Sequence, residues 1–309
     1  MKILLSALGF GSFIRRLFCI RLGRLRQYPP QALSVCNIRS TPGGDSLGIM
    51  LVTPSFNQGM FVESTIRSVL AQDYHYLQYV VQDACSTDST EKVLESFQGA
   101  DVGIWIESDK GQADALNKGF ARASADVMAY LNSDDLLLPG TLHFVAQYFH
   151  DHPSVDVIYG NRLIIDERGL EIGRWILPGH DPQVLRFVDY VPQESMFWRR
   201  RIWERVGSRF DAHLQFAMDW DLILRFLDAG AVFHHVPELF GVFRAHGGQK
   251  SQANFVTRGA KEMAALRFHH GDVNLSRLQR IWLHVRYLYR HVKADAAWQA
   301  GRFIKLGVE

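Results

Sequence analysis

Apolar positions along this chain alternate between short unbroken runs and stretches of helical spacing. The run LGIMLVT at 47–53, stopped by Pro54, suits a strand buried on both faces. Over 61–72, Val62, Ile66, Val69 and Leu70 share one helical face. The alternation repeats with a strand at 77–81, a helix at 89–97, a strand at 102–106, a helix at 112–123 and a strand at 127–131. Four such repeats predict an α/β fold, a mostly parallel, Rossmann-like sheet flanked by helices. After Pro139 come a helix over 141–150 and a strand at 155–159, and 163–176 reads as a hairpin turning at Gly169.

Breakers divide the chain. Tyr28-Pro29-Pro30 and Thr41-Pro42-Gly43-Gly44 set off an N-terminal arm, and from about Ser251 the pattern turns helical and basic. The expected division is an arm over 1–45, an α/β domain over 46–250 and a helical extension over 251–309. A length of 309 residues and a hydrophobic share of 47% allow a sizeable core. The formal net charge of +2 gives no whole-protein field toward nucleic acid. Charge is uneven, however: residues 1–44 hold seven basic side chains and no acid. The arm's apolar stretch is broken by Arg15 and Arg16, shorter than a membrane span and unlike a signal peptide. Cys19, Cys36 and Cys85 lack CxxC spacing, which fits a reducing compartment and argues against a disulfide framework or a zinc site.

Ligands of parallel sheets bind beyond the carboxyl ends of the strands. Four polar loops fall there: Thr53 to Asn57, Asp83 to Asp88, Ser108 to Gln112, and Asn132-Ser133-Asp134-Asp135. Two adjacent carboxylates after an apolar strand repel each other unless a cation offsets them. A hard divalent ion does so with one or two carboxylates, completing its shell with substrate phosphates and water. The alternative is a helix N-cap at Ser133 or Asp134. No GxxxxGK[ST] or GxGxxG follows the first strand, and no nucleophile elbow or HExxH is present. Nucleotide binding would then rest on a metal and the polar loops.

Several stretches together resemble a known family: VTPSFNQGMFVESTIRSVLAQDY, VVQDACSTDST and ESDKGQADALNKGFARASADVMAYLNSDDLLLPG. In order and spacing they are similar to a family 2 glycosyltransferase of the GT-A fold. PQESMFWRR, MDWDLILRF and FGVFRAH resemble that family's acceptor-side segments. The resemblance implies inverting transfer of a hexose-type sugar from a nucleotide-sugar donor, a UDP-sugar foremost, with Mg²⁺ or Mn²⁺. The acceptor would be a saccharide or a lipid-linked saccharide in surface-polysaccharide assembly. Matched position by position, Pro54, Ser55 and Asn57 line the nucleotide, Asp83 faces the base or ribose, and Ser86 and Asp88 fix its loop. Asp109, Lys110 and Asn117 border the nucleoside and donor sugar, joined by Ser133 and Asp134. Asp134 and Asp135 match the metal motif and Asp219 the catalytic base. Three departures stand out: Ala84 in place of a second acid, Asn132 at the first acid of the metal motif, and Met218 before the base.

On the same footing Gln193 and Glu194 are candidates for acceptor hydroxyls, and Trp198 and Trp220 for stacking on a sugar ring. Large aromatics are otherwise core. Asp219 has a second reading as the cap of a helix over 221–229, and Arg244 and His246 one as diphosphate ligands or surface ion pairs. Two rival functions remain at this stage: a nucleotidyltransferase, which would carry a Gly-rich basic loop after the first strand, and a non-catalytic protein of the same fold. Finally, 277–293 places Leu278, Ile281, Trp282, Val285, Leu288, Tyr289 and Val292 on one helical face beside Arg280, Arg286, Arg290 and Lys293. Such a helix either packs on the domain or lies on the cytoplasmic face of a membrane, with Phe10, Phe13, Leu17 and Phe18 of the arm beside it.

Overall fold

The computed structural model describes residues 27–33, 38, 47–248, 258–271 and 275–306. The membrane reading of the arm and two of its cysteines lie outside them, and Cys85 is a free, exposed thiol. Ten strands form one sheet: β1 Gln27–Gln31, β2 Ile49–Ser55, β3 Leu77–Asp83, β4 Gly103–Ile106, β5 Val127–Tyr130, β6 Leu136–Leu137, β7 Val157–Ile165, β8 Glu171–Trp175, β9 Met196–Arg199 and β10 Phe233–Arg244. The main order is β1-β8-β7-β9-β5-β2-β3-β4, with β10 on β7 and β6 on β10.

The strand–helix repeats form the parallel half, β5-β2-β3-β4, in register from Ile49↔Leu77 to Ser55↔Asp83. Beyond β5 the sheet is mixed. β9 runs antiparallel to both β5 and β7, β7 and β8 form the hairpin, and β10 is parallel to β7. Gly169, with φ +83°, sits in the β7–β8 turn as expected. Tyr28-Pro29-Pro30 is not only a breaker: it lies in β1, at the sheet's edge, where a missing N–H costs no ladder bond.

Helices cover both faces. α1 is Val62–Leu70, α2 Thr90–Glu95, α3 Gln112–Phe120, α4 Thr141–Asp151, α5 Pro182–Leu185, α6 Arg200–Arg205, α7 Met218–Asp228, α8 Ala260–His270 and α9 Arg277–Leu306. β2 shows why. Met50 and Val52 point into the layer holding Leu116, Phe120, Leu222 and Tyr287, whereas Ile49 and Leu51 point into the layer holding Val62, Ile66, Leu142 and Phe149. That two-residue alternation is the pleat. Each such fully buried aliphatic or Phe side chain contributes about 1.5–3 kcal/mol relative to exposure. α8 and α9 pack on the first layer through Leu266, Leu283, Tyr287 and Leu288.

Candidate active site

The carboxyl ends of β2, β3 and β4 are level: Ser55 pairs with Asp83, and Asp83 with Ile106. The loops that leave them are laced together. Asn57 N–H donates to Ser86 Oγ at 2.8 Å, Gln58 N–H to Thr90 Oγ1 at 2.9 Å, and Gly59 N–H to Asp88 at 3.0 Å. Asn57 Oδ1 accepts from Thr87 N–H at 2.8 Å. Asn57 and Cys85 hold left-handed backbones, φ 54° and 56°, so this corner is set by tertiary bonds rather than by glycine. At its floor the Ser55 hydroxyl is buried with no hydrogen-bond partner.

The segment after β5 is not a helix cap. Residues 133 and 134 form a turn into the short strand β6, and the next helix starts only at Thr141. Asp135 is buried; it accepts Arg244 N–H at 3.0 Å and the Asn132 amide at 3.3 Å. Burial above all, then the charges of Asp134 and Glu194, hold its carboxyl well above the usual range. Asp134 is partly exposed and meets His246 Nε2 at 2.9 Å. Arg244, buried, staples the corner: its Nε donates to the Asp134 carbonyl at 3.0 Å and its Nη2 to Ser64 Oγ at 3.2 Å. A groove of about 400 Å³ opens at His246, lined also by Asp166, Glu167, Arg168, Ala245 and Gly247.

Asn132 joins the two sides of this corner. Its Oδ1 accepts from Gln112 of α3 at 2.7 Å, and its Nδ2 donates to Gln193 at 3.0 Å. Gln193 in turn donates to the Tyr130 carbonyl at 2.6 Å. Next to it Glu194 meets Arg162 at 3.3 Å, and that guanidinium lies over the Trp175 ring at 4.2 Å and the Phe243 ring at 4.7 Å. Asp219 stands in the first turn of α7, partly exposed. Burial raises its pKa to about 6, the Trp220 N–H opposes that, and the Glu194 charge adds to it. Asp189 is also held well above the usual range, by burial and then by Asp219. Burial first, then the charges of Asp219, Asp189, Glu194 and Asp135, holds the Tyr130 hydroxyl well above its usual range, so all four acids lie in its neighbourhood.

One contributor lacks any local signal. Glu262 of α8 accepts the N–H groups of Gln215, Phe216 and Ala217 at 3.1, 2.9 and 3.0 Å. It thereby fixes the segment that enters α7, where Ala217 offers no capping side chain.

A family model described as Glycosyl transferase family 2 matches residues 50–207, just over half of the chain. The chain belongs to that family. A glycosyltransferase named for teichuronic acid biosynthesis in Bacillus subtilis is 28% identical over 144 residues, 46% of this chain and 56% of that one. The O-antigen biosynthesis protein RfbC of Myxococcus xanthus is 28% identical over 220 residues, 69% of this chain but 16% of its own. The chain thus spans about half the length of the first of these relatives and far less of the second. Among solved structures, S. aureus TarS 1–349 in complex with UDP-GlcNAc superposes with a TM-score of 0.61 at 17% identity, over 80% of this chain and 73% of that one. The mannosyltransferase PcManGT from Pyrobaculum calidifontis, in complex with GDP-Man and Mn²⁺, gives 0.56 at 19% identity over 99% and 90%. At these identities the likeness is one of fold, the GT-A fold.

Within this family 2 glycosyltransferase the candidate residues divide. Asp134, Asp135, Gln193, Glu194 and Asp219 come together around the end of β5, and Pro54, Ser55, Asn57 and Ser86 around the ends of β2 and β3. Asp109 accepts the Gly111 N–H at 2.8 Å before α3, Lys110 is exposed, and Ser133 is buried in the turn. Others are corrected. Trp198 and Trp220 are both 0% exposed, and Trp220 Nε1 donates to the Leu185 carbonyl at 2.9 Å. Neither can stack on a sugar; both are core. Asn117 spends its amide on the Phe210 backbone, 3.0 Å to the carbonyl and 2.8 Å from the N–H, which ties α3 to the 210 segment. Asp83 is fully buried and both its oxygens accept from Ser86, at 2.9 and 2.7 Å, so it organises the loop and does not face a base. Arg244 faces backbone carbonyls, not a diphosphate. Asp219 is inside α7 rather than capping a helix at 221, and Asp221 pairs with Arg225 at 2.8 Å.

Proposed function

We propose that this protein is an inverting, metal-dependent hexosyltransferase. It moves a sugar from a nucleotide-sugar donor, a UDP-sugar foremost, to a saccharide or lipid-linked saccharide acceptor in surface-polysaccharide assembly. The observation that carries this reading is the polar corner at the end of β5, where Asn132 bridges Asp135 and Gln193 and the Glu194 charge acts on both Asp135 and Asp219. Relatives named for teichuronic acid and O-antigen biosynthesis support the polysaccharide setting. The Pro-Ser-Phe-Asn turn after β2 speaks against a nucleotidyltransferase, and the retained Asp134, Asp135 and Asp219 against a non-catalytic protein.

Asp219 accepts the proton of the acceptor hydroxyl as that oxygen attacks the anomeric carbon from the face opposite the leaving diphosphate. A base with a pKa near 6 is mostly ionised at neutral pH yet still basic enough to share a proton in the transition state. Glu194, held by Arg162, keeps negative charge beside it. Asn57, exposed in the loop laced to Ser86, fits the donor's nucleoside end, with Ser55 at the floor beneath it.

Among the described residues, no three His, Cys, Asp or Glu side chains converge in a way that would hold a metal by protein atoms alone. The donor set present nevertheless fits a divalent ion completed by substrate phosphates: Asp134, with its carboxylate already beside His246, and Asp135 behind it. Asp134 and Asp135 would hold Mg²⁺ or Mn²⁺ together with the donor's phosphates. When bound, such an ion supplies charge relief for the departing diphosphate.

The test is sugar release and transfer assayed across UDP-, GDP- and dTDP-sugars with Mn²⁺, Mg²⁺ or excess EDTA. Turnover of one donor class that EDTA abolishes and Mn²⁺ restores is expected. Full activity in EDTA removes the metal, and no turnover of any nucleotide sugar with any saccharide acceptor removes the transferase reading.

A further inference from the structure

The C-terminal helix α9 has two finished faces and one unfinished one. Inward, Leu283, Tyr287 and Leu288 join the core, and Asp295 meets Arg174 Nε at 2.8 Å. Outward, Leu278 is 78% exposed, Trp282 60%, Val285 39%, Tyr289 59% and Val292 47%. Spaced 4-3-4-3, these five fall within an arc of about 80° and run along about 21 Å of helix. The sequence pattern alone put Leu288 on this face, but the structure turns it inward. Single exposed apolar residues are ordinary on a surface. A continuous stripe on a helix whose opposite face is already packed marks a contact surface.

Charge decides what it contacts. Along the described side chains of α9 stand Arg277, Arg280, Arg286, Arg290 and Lys293, against a single acid, Asp295, which is buried and paired with Arg174. Two of the cations flank the stripe: the Arg286 guanidinium lies 5.0 Å from the Trp282 ring centre and Lys293 Nζ 4.7 Å from that of Tyr289. Arg286 and Arg290 also share Asp181, at 3.1 and 3.6 Å, which anchors that flank to the domain. A second copy of the chain on this stripe would bring like charges together with no acid on the helix to offset them. An anionic lipid surface offsets them and takes Trp and Tyr at headgroup depth. Among the described residues no helix is long and apolar enough to cross a membrane, so the contact would lie along the surface.

We infer that the Leu278–Trp282–Val285–Tyr289–Val292 stripe of α9 is a docking surface for an anionic membrane. This gives the lipid-linked acceptor reading a physical contact, and its test needs no sugar donor, so the two can fail separately. The experiment is flotation of the full chain with vesicles of phosphatidylcholine alone or mixed with phosphatidylglycerol, at low and high salt. The protein should float with the anionic vesicles at low salt and be released as salt screens the charge. The exposed double variant Trp282→Ser/Tyr289→Ser should lower partitioning roughly tenfold with an unchanged melting temperature, and Lys293→Gln roughly fivefold. Absence of flotation with anionic vesicles at low salt overturns the inference, as does undiminished flotation of the double variant. A concentration-dependent dimer in lipid-free buffer that the double variant abolishes would hand the stripe to a second copy instead.

Discussion

At the scale of the residue, Asp219 carries the sharpest expectations. Its pKa of about 6 comes from burial first, resisted by the Trp220 N–H and reinforced by Glu194. As the proposed base it would work when ionised. The rate should therefore climb from low pH with a limb near 6 and level off above it, as read from kcat against pH. Asp219→Asn should lower kcat by about a hundredfold or more while donor binding, measured by titration, stays near normal. The sign of the stability effect also follows. A carboxyl whose folded pKa lies above its unfolded value stabilises the protein fully below that unfolded value and loses the contribution as pH rises through about 6. At pH 8 the wild type carries the burial penalty of an ionised Asp219 and the Asn variant does not. The variant should melt at a higher temperature than wild type at pH 8, with the difference closing by pH 4. A variant that melts lower at both pH values would mean that Asp219 is held for structure and not for reaction.

At the scale of the element, the helix bearing Asp219 depends on another helix. The first N–H groups of any α-helix lack partners, and a carboxylate at that end also meets the favourable end of the dipole. Glu262 reaches across from α8 to the three N–H groups before α7. Glu262→Ala should cost about 1–2 kcal/mol of stability, the range for a lost cap. It should lower kcat about ten- to hundredfold with donor KM little changed, because it displaces Asp219, the proposed base, and not the loops after β2 and β3. Glu262→Gln, which keeps one accepting oxygen, should recover part of that loss; equal losses in KM and kcat for both variants would reduce Glu262 to general packing. This link also shows where reading the chain alone stops. The apolar runs and periods at β2 to β5 and α1 to α4 are local, and they were legible because burial on two faces or one writes itself at fixed spacing. The adjacent acids Asp134 and Asp135 were legible because like charges side by side need a reason. Glu262, 43 residues beyond Asp219, has no period and no motif. Trp198 and Trp220 look the same in sequence whether they face a sugar or Phe226 and Leu185; the inserted antiparallel strand β9 decides for the core at Trp198 and the seating of α7 at Trp220. Asp83 likewise ends a strand where a ligand would bind, and the Ser86 turn claims both its oxygens.

At the scale of the whole molecule, the question is whether the C-terminal helix is an appendage or part of the enzyme's single cooperative unit. Leu283, Tyr287 and Leu288 of α9 lie in the same buried cluster as Met218 and Trp220 of α7, so the helix that bears Asp219 and the helix proposed to meet the membrane share one core. One tie between α9 and the sheet is the pair Arg174 of β8 with Asp295, both buried, at 2.8 Å, with Gln299 accepting from the same guanidinium at 3.3 Å. Removing one partner of a buried pair leaves an uncompensated charge, which costs about 3–5 kcal/mol. For a chain of this size that is a drop in melting temperature of roughly 5–8 °C. Asp295→Ala should show that drop. Arg174→Met combined with Asp295→Leu should lie close to wild type, since a buried ion pair replaced by apolar side chains of similar volume is often near neutral. In both variants unfolding should remain one transition, followed by calorimetry and by tryptophan fluorescence together. Two separated transitions in Asp295→Ala, the first without loss of donor binding, would make α9 an independent attachment. A single shifted transition would mean that whatever seats α9 on a lipid surface also bears directly on the framework holding Asp219.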